Sequence, residues 1–191
     1  MWHTLANPPW EQFFADKARQ VVARAREGFV VDIGAGLRVY PNRGNRYNAK
    51  RARLFDADLL ASVKILDPVP TYNPDVVGDI HKLPFADESV DGILCLAVLE
   101  HVERPWVAVR EMHRVLKKGG LIFVYVPFLF YYHAEAGYYK DYWRFSRDAL
   151  EELFKDFEDR EMCSVAGAVE TLCLIAVPPF GRAISPTRFG W

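Results

Sequence analysis

Phe29-Val30-Val31-Asp32-Ile33-Gly34-Ala35-Gly36 is a short, largely β-branched run that ends in two glycines around one alanine. Such a run has the form of a buried parallel strand feeding a tight turn. Asp32 places a carboxylate just before that turn. The glycines stand where backbone must bend sharply and approach a ligand closely. The segment alone also suits a dinucleotide fingerprint of the GxGxxG type, but position 39 is Val rather than a third glycine.

Outward from this turn the chain alternates strand and helix signals. Apolar residues Phe13, Phe14, Ala18, Val21, Val22 and Ala25 recur at helical spacing, interrupted by Lys17, and Gly28 is placed to stop that helix. Residues 37–47 are rich in Arg, Asn, Gly and Pro and read as an irregular loop, and residues 49–61 have helix-forming composition. Further strands are expected at 63–66, 75–78, 92–96 and 121–126. An amphipathic helix is expected over 106–116, with Val109, Met112, Val115 and Leu116 on one face, Lys117 and Lys118 at its end and Gly119-Gly120 terminating it. A later helix is expected over 148–157 and a strand over 159–165.

Strands alternating with helices imply right-handed crossovers and the α/β class, a three-layer Rossmann-like fold with a mostly parallel central sheet. Periodicity does not decide whether 171–177 is a seventh strand or a helix, so an incomplete seventh strand is one of two outcomes. In the first case the sheet closes. In the second its open edge suits a homodimer partner. One domain is expected over 1–191: an N-terminal helical segment (1–27), a core (28–167) and a C-terminal segment (168–191), of which 181–191 is turn-rich and reads as extended on the surface.

Composition narrows the function classes. Lys plus Arg number 24 and Asp plus Glu 25, for a formal net charge of -1, so no nucleic-acid partner is expected. The three cysteines, Cys95, Cys163 and Cys173, lie in apolar runs without CxxC spacing and read as buried thiols in a reducing compartment. No signal peptide is evident at the N-terminus, and no apolar run approaches the ~20 residues that span a bilayer. A cytoplasmic location without a transmembrane segment is therefore expected.

Three further motifs follow in order. Asp67 ends the second strand, where an acidic group can accept both hydroxyls of an adenosine ribose. Gly78-Asp79-Ile80-His81-Lys82-Leu83-Pro84-Phe85 puts a carboxylate after the third strand and a Leu-Pro-Phe turn before the fourth. Leu96-Ala97-Val98-Leu99-Glu100-His101-Val102 and Val115-Leu116-Lys117-Lys118-Gly119-Gly120 complete the set. Over about residues 29–126 the chain resembles the class I S-adenosylmethionine-dependent methyltransferase family, in the type 11-like, ubiquinone-biosynthesis-like subset. The resemblance implies S-adenosyl-L-methionine as cofactor, with Asp32, Gly34 and Gly36 at its methionine portion, Asp67 at the ribose, Asp79 and Ile80 at the adenine, and Leu96 and Ala97 closing the pocket. An Asp can accept the adenine amino hydrogens and an apolar Ile can cover the ring.

The least generic stretch is Val126-Pro127-Phe128-Leu129-Phe130-Tyr131-Tyr132-His133, followed by Asp141-Tyr142-Trp143-Arg144-Phe145-Ser146. It is similar to a bacterial methyltransferase subgroup with a Val-Pro-Phe-Leu segment, a His and a Tyr-x-Arg-Phe-(Ser/Thr) segment, associated with cell-surface polysaccharide pathways. Aromatics beside one His and one Arg suit a small-molecule or saccharide-like acceptor. Arg144 either clamps an anionic group of that acceptor or pairs with Asp141 or Asp148. His133, His101, Tyr142 and Arg144 are the catalytic candidates, with His133 as the local base and His101 the weaker one, since imidazole titrates near neutral pH. No metal is expected, because His81, His101 and His113 lack HxxxH or HExxH spacing. Glu100, Glu103 and Glu111 read as helix-surface charges on a solvated face. The leading expectation is methyl transfer; a catalytically inactive binding partner of the same fold and an NAD-dependent oxidoreductase are the alternatives.

Overall fold

The computed structural model describes residues 10–26, 28–43, 47–164 and 171–177. Its strands are β1 (Val30–Ile33), β2 (Lys64–Asp67), β3 (Val76–Val77), β4 (Val90–Leu96), β5 (Leu116–Pro127), β6 (Glu158–Ser164) and β7 (Thr171–Val177). The helices are α1 (Trp10–Val22), α2 (Ala49–Ala52), α3 (Ala57–Ser62), α4 (Pro105–Val115) and α5 (Arg147–Leu153). One sheet takes the order β3-β2-β1-β4-β5-β7-β6. β1 to β5 pair in parallel, while β7 lies antiparallel between β5 and β6. This is the expected Rossmann-like fold, and the first-strand segment lies at its centre.

Strict alternation along the central strands divides the core into two layers. Val31, Ile33, Ile93, Cys95, Ile122 and Val124 face one side, where Val109, Met112, Leu150 and Phe154 of the α4 and α5 region cover them. Val30, Ile65, Leu94, Leu96 and Phe123 face the other and meet Phe14, Ala18 and Val21 of α1. The Lys17 that interrupts the α1 pattern reaches Glu161 of β6 at 2.6 Å, so the interruption is an ion pair between the first helix and the edge strand.

The remaining expectations shift in instructive ways. Residues 171–177 form a strand, so β5 is not an open edge; the edges are β3 and β6, and the dimer argument built on a missing strand loses its premise. The helix expected over 49–61 is two short helices, because Asp56 accepts from the Leu59 N–H at 3.0 Å and caps a fresh start. Lys117 and Lys118 do not end a helix. Leu116 already pairs with Val90, and Lys117 turns to Asp91 at 2.8 Å inside a bulged start to β5. The helix expected to reach 157 ends at Leu153, with Phe157 folded back into the core. Cys163 and Cys173 stand opposite one another in the β6–β7 register. Residues 178–191, including the expected extended ending, lie outside the described residues. No helix among the described residues is long and apolar enough to cross a membrane.

Phe123 is fully buried and meets Phe14 edge-on at 5.6 Å between ring centroids, which makes it the join between sheet and α1. Phe123→Ala is expected to lower unfolding free energy by about 3–5 kcal/mol in urea titration. A loss under about 1 kcal/mol would show that α1 does not depend on that contact.

Candidate functional site

The sheet order reverses direction between β1 and β4, and at such a switch point the loops leaving the two strands part and open a crevice. The loop after β1 runs in a left-handed path, with Gly34 at φ +74°, Ala35 at +50° and Arg38 at +60°. A side chain at Gly34 would strike Val98 Cγ2 at 2.7 Å, and one at Gly36 would lie 2.1 Å from the Leu96 carbonyl oxygen. Both glycines are therefore obligatory as packing against the end of β4, beyond any ligand. Leu37 turns into the core and is fully buried. Among the described residues no helix starts between β1 and Ala49, so the close helix–strand packing that calls for a third loop glycine is not found at position 39.

Asp32 is fully buried under the loop. Its Oδ2 accepts from the Leu37 N–H at 3.2 Å, and the buried Tyr40 hydroxyl stands against the same carboxylate. Burial pushes its carboxyl up to about 8, only partly opposed by the Leu37 and Gly36 amides. Asp67, at the end of β2, is 5% exposed; burial raises its carboxyl too, against a hydrogen bond from the Val69 N–H at 2.8 Å. Asp79 follows β3 and is held by the N–H and ring Nδ1 of His81 at 2.8 and 2.7 Å. Partial burial would raise its carboxyl, but these His81 contacts win and hold it below the ordinary value. Ile80 packs into the core beside Leu66 and Leu83.

The cleft itself, about 220 Å³, is lined by Gly36, Leu96 and Ala97 on one side and by Glu100, Phe130 and His133 on another. Ala97 takes φ +57° as its N–H bonds to the Tyr125 carbonyl at 2.8 Å, which turns the chain away from β4 and opens the crevice. Thus Gly36, Leu96, Ala97 and His133 come together at one cleft, with Asp32 buried under the loop that carries Gly36. Asp67, Asp79 and Ile80 sit at the ends of the adjoining strands and are not among the residues lining this cleft.

The far wall is the segment after β5, and one ion pair holds its shape. Asp141 takes both Nη atoms of Arg144, at 2.5 and 2.7 Å, and also the His133 N–H at 2.8 Å. The guanidinium further donates to the carbonyls of Phe130, Tyr131 and Trp143. These contacts account for its five N–H donors. Of the two sequence readings of Arg144, the structure shows the pairing with Asp141, so the residue braces the segment and has no donor left for an acceptor's anion. Arg144 also drives the Asp141 carboxyl down to about 2. The backbone N–H groups of Tyr142 and Trp143 bond the Glu100 carbonyl at 2.8 and 3.1 Å, which docks the segment on the 99–101 turn. The Tyr142 ring is 40% exposed, beneath the Lys140 ammonium at 6.0 Å, and is not part of the cleft lining.

Sequence reasoning missed Glu100, read as a helix-surface charge. It is fully buried with neither carboxyl oxygen hydrogen-bonded, and burial pushes it up to about 8 against the weaker pull of its own N–H and of Arg144. His101, whose ring packs on that of His133 at 4.7 Å, is lowered by burial, more than the Lys140 carbonyl raises it, so it is neutral at pH 7. Glu100, His101 and His133 bring one donor atom each within 4.8 Å of the others. No spacing rule could find them, since His133 lies across β5 from the other two.

Strand ends gathered at a switch point, with a reversed strand inserted beyond β5, define the architecture of Rossmann-like methyltransferases. Residues 31–124 match the family model described as a methyltransferase domain. An uncharacterized methyltransferase of Mycobacterium tuberculosis is 60% identical over 40 residues, a match spanning 21% of this chain and 16% of that relative. In fold, the chain is similar to one in the complex between the Haloferax volcanii Trm112 methyltransferase activator and a methyltransferase (TM-score 0.56, 18% identity, 92% of this chain and 95% of that one). It is likewise similar to Haemonchus contortus phosphoethanolamine N-methyltransferase 2 in complex with S-adenosyl-L-methionine (TM-score 0.55, 14% identity, 92% and 54%). Residues 31–124, just under half of the chain, are thus identified as a methyltransferase domain, in agreement with the Rossmann-like fold of the whole sheet.

The folded Asp32 carboxyl binds its proton more tightly than the unfolded one, so its contribution to stability is full below pH 3.8 and is lost as pH rises to about 8. Asp32→Asn is expected to reduce the fall in unliganded urea stability across that window by about 1–3 kcal/mol, measured as the unfolding midpoint at several pH values. An unchanged pH slope would show that Asp32 carries no such penalty.

Proposed function

We propose that the chain transfers a methyl group from S-adenosylmethionine to a small-molecule or saccharide-like acceptor. The observation that carries this reading is the continuity of one cleft from Gly36, Leu96 and Ala97 to Glu100 and His133. One end offers loop backbone over a buried carboxylate, the other a polar group beside aromatics. The residues fit the cofactor: Asp32 is a fully buried carboxylate under the loop, and the loop after β1 presents its backbone at the strand ends. In this reading Asp32, Gly34 and Gly36 hold the methionine portion, Asp67 the ribose hydroxyls, Asp79 and Ile80 the adenine, and Leu96 with Ala97 the pocket wall. When bound, the cofactor supplies an electrophilic methyl.

The protein's own part is placement. The acceptor is held between the Leu96–Ala97 wall and the segment after β5, where Phe130 and Tyr131 line the cleft with exposed rings suited to stacking on a sugar ring. Positioning supplies most of the acceleration in an in-line transfer. His133, with His101 behind it, is the group that would take the acceptor's proton. Arg144 acts through Asp141 to hold the His133 backbone rather than by touching the acceptor. A cytoplasmic location belongs to the same reading.

Calorimetric titration with S-adenosylhomocysteine tests it. Tight binding is expected, with Asp67→Ala weakening it about 10–100-fold through loss of charge-assisted hydrogen bonds. Gly34→Val and Asp79→Ala should abolish most of the remainder. Unchanged affinity in all three variants would sink the site assignment, and binding of NADH in its place would select the oxidoreductase alternative.

A further inference from the structure

We propose that Glu100, His101 and His133 bind one divalent first-row transition-metal ion at the acceptor end of the cleft, with Zn²⁺ favoured by the ligand set. One donor atom from each residue lies within 4.8 Å of the other two. A second, independent observation is that Glu100 is 0% exposed with neither oxygen hydrogen-bonded, although it lines the cleft. Buried carboxylates normally have partners, because removing one from water without compensation is severely unfavourable.

The histidines are oriented for the same purpose. His101 Nδ1 lies 2.6 Å from the Lys140 carbonyl, which can only accept, so the proton is on Nδ1 and the lone pair on Nε2. That Nε2 is 3.8 Å from Glu100 Oε1. His133 Nδ1 lies 3.0 Å from the Tyr131 carbonyl and 3.2 Å from Asp141 Oδ2, two acceptors again, which leaves Nε2 as its electron-pair donor. Arg144 Nη2 is also 3.4 Å from that Nδ1, but its hydrogens go to Tyr131 and Asp141 at shorter distances. A carbonyl or carboxylate behind the far ring nitrogen is the support that metal-binding histidines use to fix tautomer and orientation. The rings of Tyr139 and Phe130 pack on His101 and His133 at 4.4 and 4.9 Å and hold both imidazoles in place.

Each of the three side chains thus offers one electron-pair donor atom, and these atoms converge within 4.8 Å of one another. A proton on Glu100 can serve one histidine; a cation serves all three. Two imidazoles and one carboxylate suit Zn²⁺ and its neighbours over Mg²⁺ or Ca²⁺, which prefer all-oxygen sets. Three protein ligands leave a position open, and Glu100 and His133 both face the cleft, so an acceptor oxygen can complete the coordination. In that state the two histidines hold the ion and do not take the acceptor's proton. The ion site uses protein donors alone; only the acceptor's place on it rests on the methyl-transfer reading.

The test is calorimetric titration of the chelator-treated chain with Zn²⁺ alone, with Co²⁺ visible absorption as a coordination readout. One ion per chain is expected, with Glu100→Gln and His133→Ala each weakening binding at least about 10–100-fold and flattening the Co²⁺ bands. His113→Ala, at a ring that packs on Phe157, should leave binding unchanged. Asp141→Asn should weaken it about 10-fold through His133. Thermal unfolding checks that each variant folds, and His133→Ala, at a partly exposed side chain, carries the test if the buried Glu100→Gln does not. Absence of stoichiometric binding, or equal binding by wild type and His133→Ala, overturns the proposal. Loss of S-adenosylhomocysteine binding with the ion retained would instead remove the methyl-transfer reading and leave this one standing.

Discussion

The approach of Gly36 to the carbonyl of Leu96 is the contact on which the rest of the site depends. β1 and β4 are neighbours in register, so the loop leaving β1 must cross the end of β4 where only a hydrogen fits. With the loop pressed down there, Leu37 enters one core layer and Ala97 is turned into a left-handed conformation as its amide takes the Tyr125 carbonyl. The ends of three strands are then tied together around one opening. Cleft wall and sheet packing are the same set of atoms here, which is why the loop tolerates so little change.

Asp32, Asp67 and Glu100 are the buried charged residues among the described residues, and all three lie at or just after the carboxyl ends of strands on the same side of the sheet. Burial raises each of their carboxyls. The unliganded fold therefore stores unfavourable solvation where a ligand can relieve it, a usual location for locally suboptimal groups. The opposite wall is built differently. Asp141 and Arg144 are satisfied by each other and by the backbone around them, and they shape a segment with little regular structure into a fixed partner for the turn at residues 99–101.

What the sequence made legible was periodic or local. Alternation in β4 and β5, the spacing of α1 and α4, and the carboxylates at strand ends all depend on neighbours within a few residues. Thr171–Val177 was ambiguous because a seven-residue apolar run buries itself equally well as strand or helix until its partners are known. Lys17 and Lys117 found partners 144 and 26 residues away, which no helix pattern encodes. Glu100 looked like a surface charge because Leu-Glu-His-Val resembles a helix start; the docking of the 131–145 segment is what buries it. Arg144 was legible as important but not in its role, since its choice between a ligand and Asp141 is settled by loop geometry.

The position of β7 carries a consequence for how the chain is made. β5 exposes an unpaired edge until 171–177 has left the ribosome, and β6, synthesised before it, has no partner in the sheet except that same strand. Folding from the amino terminus can assemble the five parallel strands during synthesis, but the antiparallel pair can close only after β7 has emerged. Until then the nascent sheet presents an unpaired, hydrophobic border of the kind that recruits foreign strands, so chaperone demand should concentrate in the interval between emergence of β5 and of β7.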